Sequence, residues 1–181
     1  MREITLHILD IAANSISAGA RNIFISIIGN HKDDTLEITI SDDGKGMTPE
    51  MVAIVTDPFT TTRTERNVGL GIPLLKAAAE ACNGWFNISS ELGKGTKVQV
   101  GFQLSHIDRM PLGDVPSTLL GLLIGTPEVH WTFRVKNDEK EFYFDDTELK
   151  RELGGDCLSE PEVIRYVREL FTEEIDALAL N

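Results

Sequence analysis

Apolar residues recur with two different periods along the first hundred residues, and the period separates helices from strands. Residues 3–19 carry apolar side chains at helical spacing, with Ile4, Ile8 and Ile11 on one line. That spacing predicts an amphipathic helix. The β-rich run at 22–28 and the alternating run at 36–40 predict two strands. The other elements predicted in this part are helices at about 49–55 and from Ile72 to about Cys82, and strands at 85–90 and 96–104.

The pattern changes near residue 106, and we predict two regions, residues 1–106 and residues 107–181. In the second region, apolar spacing predicts a helix, a hairpin and two further helices. The predicted helix is at 117–124, the hairpin joins 129–135 to 141–144, and the last helices span 147–153 and the run from Pro161. This region is predicted to be a small acidic α+β extension that binds a partner or forms a homodimer.

Length and charge limit the classes of function. The chain has 181 residues, 41% apolar and 25% charged, with a net charge of −12, as expected for a soluble globular protein. Residues 105–181 hold 17 acidic and 8 basic residues, which disfavours binding to nucleic acid or to an anionic membrane. Cys82 and Cys157 have no metal-type spacing, and no leader or membrane-spanning run is evident. We therefore expect a cytoplasmic protein.

The stretch from Ser41 to Met47, with its Asp42-Asp43-Gly44-Lys45-Gly46 run, follows the predicted strand at 36–40. An acid held at a strand end can accept a hydrogen bond from a ligand amine. Two glycines one residue apart let the backbone turn sharply and approach a ligand closely. Alone, such a run is typical of an ordinary turn.

Three further features occur in a fixed order around this stretch. Asp10 and Asn14 are four residues apart, so they share one face of the predicted helix. A hydroxyl-rich loop over about 57–67 precedes Gly69-Leu70-Gly71 at a helix start, where backbone N–H groups can receive phosphates. A Gly93-Lys94-Gly95-Thr96 turn joins the two closing strands. Each feature supplies a different part of one nucleotide site.

In this order the motifs resemble those of the GHKL superfamily, the ATP-binding domains of DNA gyrase B, Hsp90, histidine kinases and MutL. The resemblance covers about residues 4–104. It rests on an N box at 10–15, glycine boxes at 42–47, 69–72 and 93–96, and a phenylalanine box at 57–63. It implies an α+β fold of the Bergerat type. This is a two-layer α/β sandwich with a mixed sheet and helices on one face, here followed by the C-terminal extension.

The resemblance also implies roles for individual residues. Asp42 is expected to accept a hydrogen bond from the adenine amino group, supported by Thr96, and Asn14 to ligate Mg²⁺. Arg63, with Arg66 or Lys94, would add positive charge at the phosphates. The residues expected to contact ATP are Asn14, Asp42, Gly44, Gly46, Met47, Thr62, Arg63, Gly69, Leu70, Gly71, Ile72 and Thr96.

Position 10 bears on the chemistry. Many hydrolytic members of the superfamily, and anti-sigma-factor kinases, carry a Glu one turn before the Asn, whereas typical histidine kinases carry an Asn. Asp10 is an acid and is therefore the candidate general base, although its side chain is one methylene shorter than that of Glu. With this shorter reach, three roles stay open: a base that acts through a bridging water, a slow base, or a group that only tunes Mg²⁺ and Asn14. Only 13 residues precede Asn14, so we expect no helix pair bearing a phosphoacceptor histidine.

Three functions stay open at this point. The first is a stand-alone protein kinase or kinase-like switch that acts on a separate partner protein, as anti-sigma-factor kinases do. The second is a regulator that senses ATP and ADP without catalysis. The third is an ATP-dependent clamp ATPase related to MutL or Hsp90, for which the C-terminal region is short.

Overall fold

The structure is a computed structural model that describes residues 3–56, 71–153, 158 and 160–180. These residues form six helices and six strands. The helices are α1 (Ile4–Ser17), α2 (Pro49–Thr56), α3 (Gly71–Ala81), α4 (Val115–Gly125), α5 (Asp146–Leu153) and α6 (Pro161–Asp176). The strands are β1 (Asn22–Asn30), β2 (Thr35–Asp42), β3 (Trp85–Glu91), β4 (Gly95–Gln103), β5 (His130–Asn137) and β6 (Lys140–Asp145).

All six strands belong to one mixed sheet in the order β3-β4-β2-β1-β5-β6. β1 and β5 run parallel, and every other neighbouring pair is antiparallel. The register places Asp42, the last residue of β2, opposite Thr96 near the start of β4. The sheet therefore brings the first and last glycine motifs of the sequence to the same end of two neighbouring strands.

The two faces of the sheet differ in burial because side chains alternate along each strand. On one face, residues such as Ile25, Ile38 and Val100 are buried in a cluster with apolar residues of α1, α3, α4 and α6. On the other face, Glu37 and Lys97 are exposed, and so are Trp85 and Tyr143 at the two edge strands. The helices thus cover one face, and the predicted two-layer α+β sandwich is confirmed.

The C-terminal region continues the same sheet rather than standing apart from it. β5 pairs with β1 over eight residues, from Asn22 opposite His130 to Gly29 opposite Asn137. Phe171 of α6 packs edge-on against Phe144, with ring centroids 4.9 Å apart. Asn137 donates from its side chain to the carbonyl oxygen of Leu178, at 2.7 Å. The division at residue 106 stays a prediction, while the sheet and the apolar cluster extend across it.

The predicted elements of both regions are present in the described residues, including the hairpin, which forms as β5 and β6. Their ends differ by at most two residues; α1, for example, ends at Ser17 rather than at Gly19. Gly19 follows with a positive φ of 76°, and this left-handed backbone favours glycine after a helix end. None of the described helices has the length and apolar character needed to cross a bilayer.

Candidate nucleotide-binding site

Asp42 is half-buried at the end of β2, and both of its carboxylate oxygens already have partners. Ser15 of α1 donates its hydroxyl to Oδ2 at 2.6 Å, and the backbone N–H of Gly44 donates to Oδ1 at 2.9 Å. Each oxygen keeps a lone pair for a further donor. The carboxylate is therefore held in one orientation while it retains the capacity to accept from a ligand.

Ser15 is a site residue that the sequence reasoning missed. It is almost fully buried, at 3% exposure, and it follows directly after Asn14. Ser15 continues the line of Ile4, Ile8 and Ile11 along α1, so its spacing turns a polar side chain towards the sheet. That mismatch, combined with an acid at the end of a strand, was the available signal.

Thr96 lies between two polar neighbours in the sheet, with Asp42 opposite it on β2 and Ser90 opposite it on β3. The Ser90 hydroxyl lies 2.9 Å from the Thr96 hydroxyl. Ser90 also accepts a hydrogen bond from the backbone N–H of Met47, at 2.8 Å. Met47 and Thr96, both expected at the site, are thus linked through a residue that the sequence had not singled out.

The two glycine loops pack against each other. Gly46 has a φ of 66°, and a Cβ there would lie 2.0 Å from the carbonyl oxygen of Glu91. Gly95 has a φ of 107°, and a Cβ there would lie 1.9 Å from the carbonyl oxygen of Asp42. The close approach that these glycines permit is therefore between the two loops, which locks the end of β2 against the β3–β4 turn.

Asp43, next to Asp42, fixes the same loop from its other side. Burial raises the pKa of Asp43, but hydrogen bonds from the side chain and backbone of Asn22 and from the backbone of Arg21 outweigh burial. The pKa of this carboxyl therefore lies below its usual range. The ionised Asp43 holds the glycine loop to the start of β1, as its contacts with Asn22 at 2.6 Å and 2.9 Å show.

Asp10 is half-buried and Asn14 is exposed, one turn apart on α1. The carboxylate of Asp10 contacts the first residue of α3, since a Cβ on Gly71 would lie 1.6 Å from its Oδ2. Ile72, the next residue, is buried in the apolar cluster. The acid and the start of α3 are thus in direct contact.

His7 lies one turn before Asp10 and is buried, at 2% exposure. Burial lowers its pKa from the usual 6.5, although a backbone hydrogen bond with Gly71 works in the opposite direction. Its Nδ1 has no hydrogen-bond partner among the described residues. His7 therefore sits neutral where α1 packs against α3.

Nine of the predicted site residues lie in the described part of the chain, and the structure gathers them at one end of the sheet. Gly44 donates to Asp42, Thr96 lies opposite Asp42 in the sheet, and Ser90 links Thr96 to Met47. Gly46 lies in the same loop, between Gly44 and Met47. Asp10, Gly71 and Ile72 lie where α1 meets α3, and Asn14 is exposed one turn further along α1, next to Ser15. The other four predicted residues, Thr62, Arg63, Gly69 and Leu70, lie outside the described residues, as does the predicted loop at about 57–67.

A second group of polar residues lies where β5, β6 and α5 meet. In the described part of the chain, His130, Asp145 and Asp146 form the one set of three potential metal-ligating side chains close enough to share an ion. Asp146 is fully buried, and its Oδ2 already lies 2.6 Å from the ammonium of Lys150. It also accepts from the ring of His130 and from the backbone N–H of Trp131. This closed ionic network ties α5 to β5.

With this geometry established, residues 1–106 match the family described as histidine kinase-, DNA gyrase B-, and HSP90-like ATPase. A putative sensor histidine kinase, NtrY-like, of Rickettsia conorii is 26% identical over 108 residues, which are 60% of this chain and 18% of that protein. Sporulation kinase E of Bacillus subtilis is 34% identical over 96 residues, 53% of this chain and 13% of the kinase. The chain therefore spans less than a fifth of the length of these curated relatives.

Among solved structures, the N-terminal domain of a DNA repair protein aligns with a TM-score of 0.54 at 16% sequence identity. The alignment covers 79% of this chain and 52% of that one. At this level of identity the similarity concerns the fold alone, and it agrees with the two-layer architecture described above.

Proposed function

Because the chain belongs to the family of histidine kinase-, DNA gyrase B- and HSP90-like ATPases, we propose that it binds ATP with Mg²⁺ and acts as a protein kinase or kinase-like switch on a separate partner protein. The main observation that supports an ATP site is the orientation of the Asp42 carboxylate. Its carboxylate is oriented by Ser15 and Gly44, adjoins Thr96 in the sheet, and keeps lone pairs that suit an exocyclic amino group.

In this proposal the base binds at Asp42 and Thr96, and the phosphates extend towards the start of α3. A helix N-terminus favours an anion because its first N–H groups have no partner within the helix. Gly71 begins that helix and contacts Asp10 of α1, and Asn14 lies one turn further along α1. The distribution of residues thus fits a ligand with an N–H donor at one end and an anion at the other.

The residues at the anion end also fit a magnesium ion. Asn14 offers an exposed side-chain carbonyl oxygen, and Asp10 offers a carboxylate one turn earlier. Oxygen donors are the ones that Mg²⁺ takes, often with few protein ligands and several waters. Asn14 would hold the ion, and bound Mg²⁺ neutralises charge on the phosphates during transfer.

Asp10 is proposed as the general base. As the hydroxyl oxygen of the acceptor forms its bond to the γ-phosphorus, the bond from that phosphorus to the β–γ bridging oxygen breaks and ADP leaves. The proton of the hydroxyl passes to the Asp10 carboxylate. The support is the position of Asp10, half-buried and in contact with the start of α3.

A second candidate is a regulator that senses ATP and ADP without turnover. The packing of Asp10 against Gly71 favours it, because an acid held that tightly has little freedom to reach a substrate. The C-terminal region, with 17 acidic and 8 basic residues over 105–181, would then bind the partner protein or a second copy of the chain. Under either candidate we propose a cytoplasmic protein, where ATP is available.

The experiment compares wild-type protein with Asp10→Asn, using γ-labelled ATP in the presence of a cell extract and then with the partner it identifies. Label on the partner in the wild type, its loss in Asp10→Asn and equal ADP affinity in both would support the kinase. ATP bound without transfer or hydrolysis would favour the sensor. Hydrolysis with ATP-dependent dimerisation would indicate the clamp ATPase. Absence of ATP binding by the wild type would refute the proposal as a whole.

A further inference from the structure

We propose that Ser90 is a positioning residue that sets the base selectivity of the nucleotide site by fixing the direction of the Thr96 hydroxyl. The inference rests on the proposed function, because it concerns how the same site distinguishes one purine from another. Ser90 lies on β3, half-buried, two strands away from Asp42. It does not adjoin Asp42 in the sheet and would act through Thr96.

The hydroxyl of Ser90 has three partners at hydrogen-bond distance. The backbone N–H of Met47 lies at 2.8 Å, the carbonyl oxygen of Gly95 at 2.9 Å and the hydroxyl of Thr96 at 2.9 Å. These partners belong to the first glycine loop, to the last glycine turn and to β4. One side chain therefore connects the first glycine loop to the start of β4.

Only one assignment of donors and acceptors satisfies all three of these hydrogen bonds. A serine hydroxyl has one proton and two lone pairs. The N–H of Met47 only donates and the carbonyl of Gly95 only accepts, so Ser90 accepts from the first and donates to the second. Its one proton is then used, and the contact with Thr96 forms only when Thr96 donates to Ser90. The oxygen of Thr96 is left as an acceptor for any other neighbour.

This arrangement makes the base position a pair of acceptors. The carboxylate of Asp42 accepts only, and Thr96 presents lone pairs beside it, directly or through a water. An exocyclic amino group supplies two N–H donors to such a pair, whereas a 6-oxo purine presents an acceptor oxygen at the same place. The site therefore favours a 6-amino purine, and Ser90 contributes by preventing Thr96 from donating.

Removal of the Ser90 hydroxyl frees the Thr96 proton. Thr96 can then rotate and donate to a 6-oxo group, which lowers the penalty against that base. Asp42 still disfavours the 6-oxo group, so the selectivity falls without vanishing. For one neutral hydrogen bond the expected decrease is about threefold to tenfold.

A purely structural role predicts something different. Ser90 also helps to hold the loop at Met47, and the neighbouring N–H of Gly93 donates to the carbonyl of Lys45 at 2.7 Å. Loosening this loop would weaken the binding of every nucleotide to a similar extent. The ratio of two affinities, rather than either affinity, therefore separates the two roles.

The test measures binding of ADP and of its 6-oxo analogue inosine diphosphate by calorimetry to wild type, Ser90→Ala, Ser90→Thr and Ser89→Ala. Ser89 is the matched control, since it is the preceding residue on β3 and points to the exposed face. We expect the ADP preference to fall about threefold to tenfold in Ser90→Ala, to be restored in Ser90→Thr and to be unchanged in Ser89→Ala.

An unchanged preference in Ser90→Ala, with ADP still bound by the wild type, would overturn the role of Ser90 and leave the proposed ATP site standing. Binding of neither nucleotide by the wild type would refute both. If Ser90→Ala does not fold, Ser90→Cys is the second variant, because it nearly keeps the size of the side chain while its sulfur accepts only weakly from the Thr96 hydroxyl. Ser90→Cys should lose the same preference, and retention of the full preference there would overturn the inference.

Discussion

Gly95 and Gly93 allow the packing of the two glycine loops to be tested with a built-in control. Both have left-handed backbones, with φ of 107° and 80°, and both belong to the same turn. A Cβ on Gly93 would meet nothing within 4 Å, whereas a Cβ on Gly95 would lie 1.9 Å from the carbonyl oxygen of Asp42. Substitution by alanine therefore strains both backbones but creates a clash at Gly95 alone.

The expected loss of unfolding free energy follows from the backbone strain and the steric clash. Forcing an L-residue into a left-handed conformation costs about 1–2 kcal/mol, and this applies to both variants. At Gly95 the carbonyl of Asp42 has to move by roughly 1 Å or more to restore normal contact, and overpacking of this kind costs a further ~1–3 kcal/mol. We expect Gly93→Ala to lose about 1–2 kcal/mol of unfolding free energy and Gly95→Ala about 2–5 kcal/mol.

Urea denaturation of the two variants measures the difference, and ADP binding gives a second readout. Because the displaced group is the backbone of Asp42, Gly95→Ala should also weaken ADP binding, while Gly93→Ala should leave it near the wild-type value. Equal losses of stability in the two variants, or a larger loss in Gly93→Ala, would show that the two loops are not locked together as described.

Two further predictions concern buried groups away from the base position. Asp146→Asn should lower the unfolding free energy, measured by urea denaturation, by about 3 kcal/mol, because it leaves the ammonium of Lys150 without its buried partner. Asp145→Asn, at the neighbouring residue, should lower it by less than about 1 kcal/mol. Similar losses in the two variants would contradict the ionic network around Asp146. The pKa of His7 is lowered by burial, so the unfolded chain binds a proton below its usual 6.5 while the folded chain does not. Stability should therefore fall below about pH 6.5 by at most about 1.4 kcal/mol per pH unit, and His7→Gln should reduce that slope. Carboxyls with lowered pKa act only below about pH 4 and do not obscure this window. An identical slope in His7→Gln would show that His7 is not the cause.

Local sequence patterns were sufficient to predict the helices and strands and to place several residues of the candidate site. The strand at 36–40 and the following acid placed Asp42 at a strand end, and the structure has β2 end at that residue. The turn at Gly93-Lys94-Gly95 placed Thr96 on the next strand, and the register sets it opposite Asp42. Both inferences depend on short-range backbone preferences, which a sequence carries directly.

Strand pairings and side-chain contacts between residues far apart in the chain could not be predicted from local patterns. Nothing local in residues 130–137 indicates that β5 lies parallel to β1, since the choice of partner depends on the packing of α4 and α6. Ser15 and Ser90 were missed because a single serine on a helix or strand is common, and its role depends on a residue far along the chain. The contact of Asp10 with Gly71 likewise depends on how α1 and α3 pack.

The most direct test of the nucleotide site is calorimetric titration of ADP into wild type and Asp42→Asn. The substitution preserves the internal contacts, since the side-chain oxygen can still accept from Gly44 and the new amide can donate to Ser15. Towards the ligand it replaces acceptor lone pairs with N–H groups that face the amino group. Loss of a charged hydrogen bond, about 1.5–3 kcal/mol, predicts a roughly 10- to 150-fold weaker affinity in a variant of unchanged stability. ADP binding of equal strength in the two proteins would contradict the assignment of Asp42 and the account built on it.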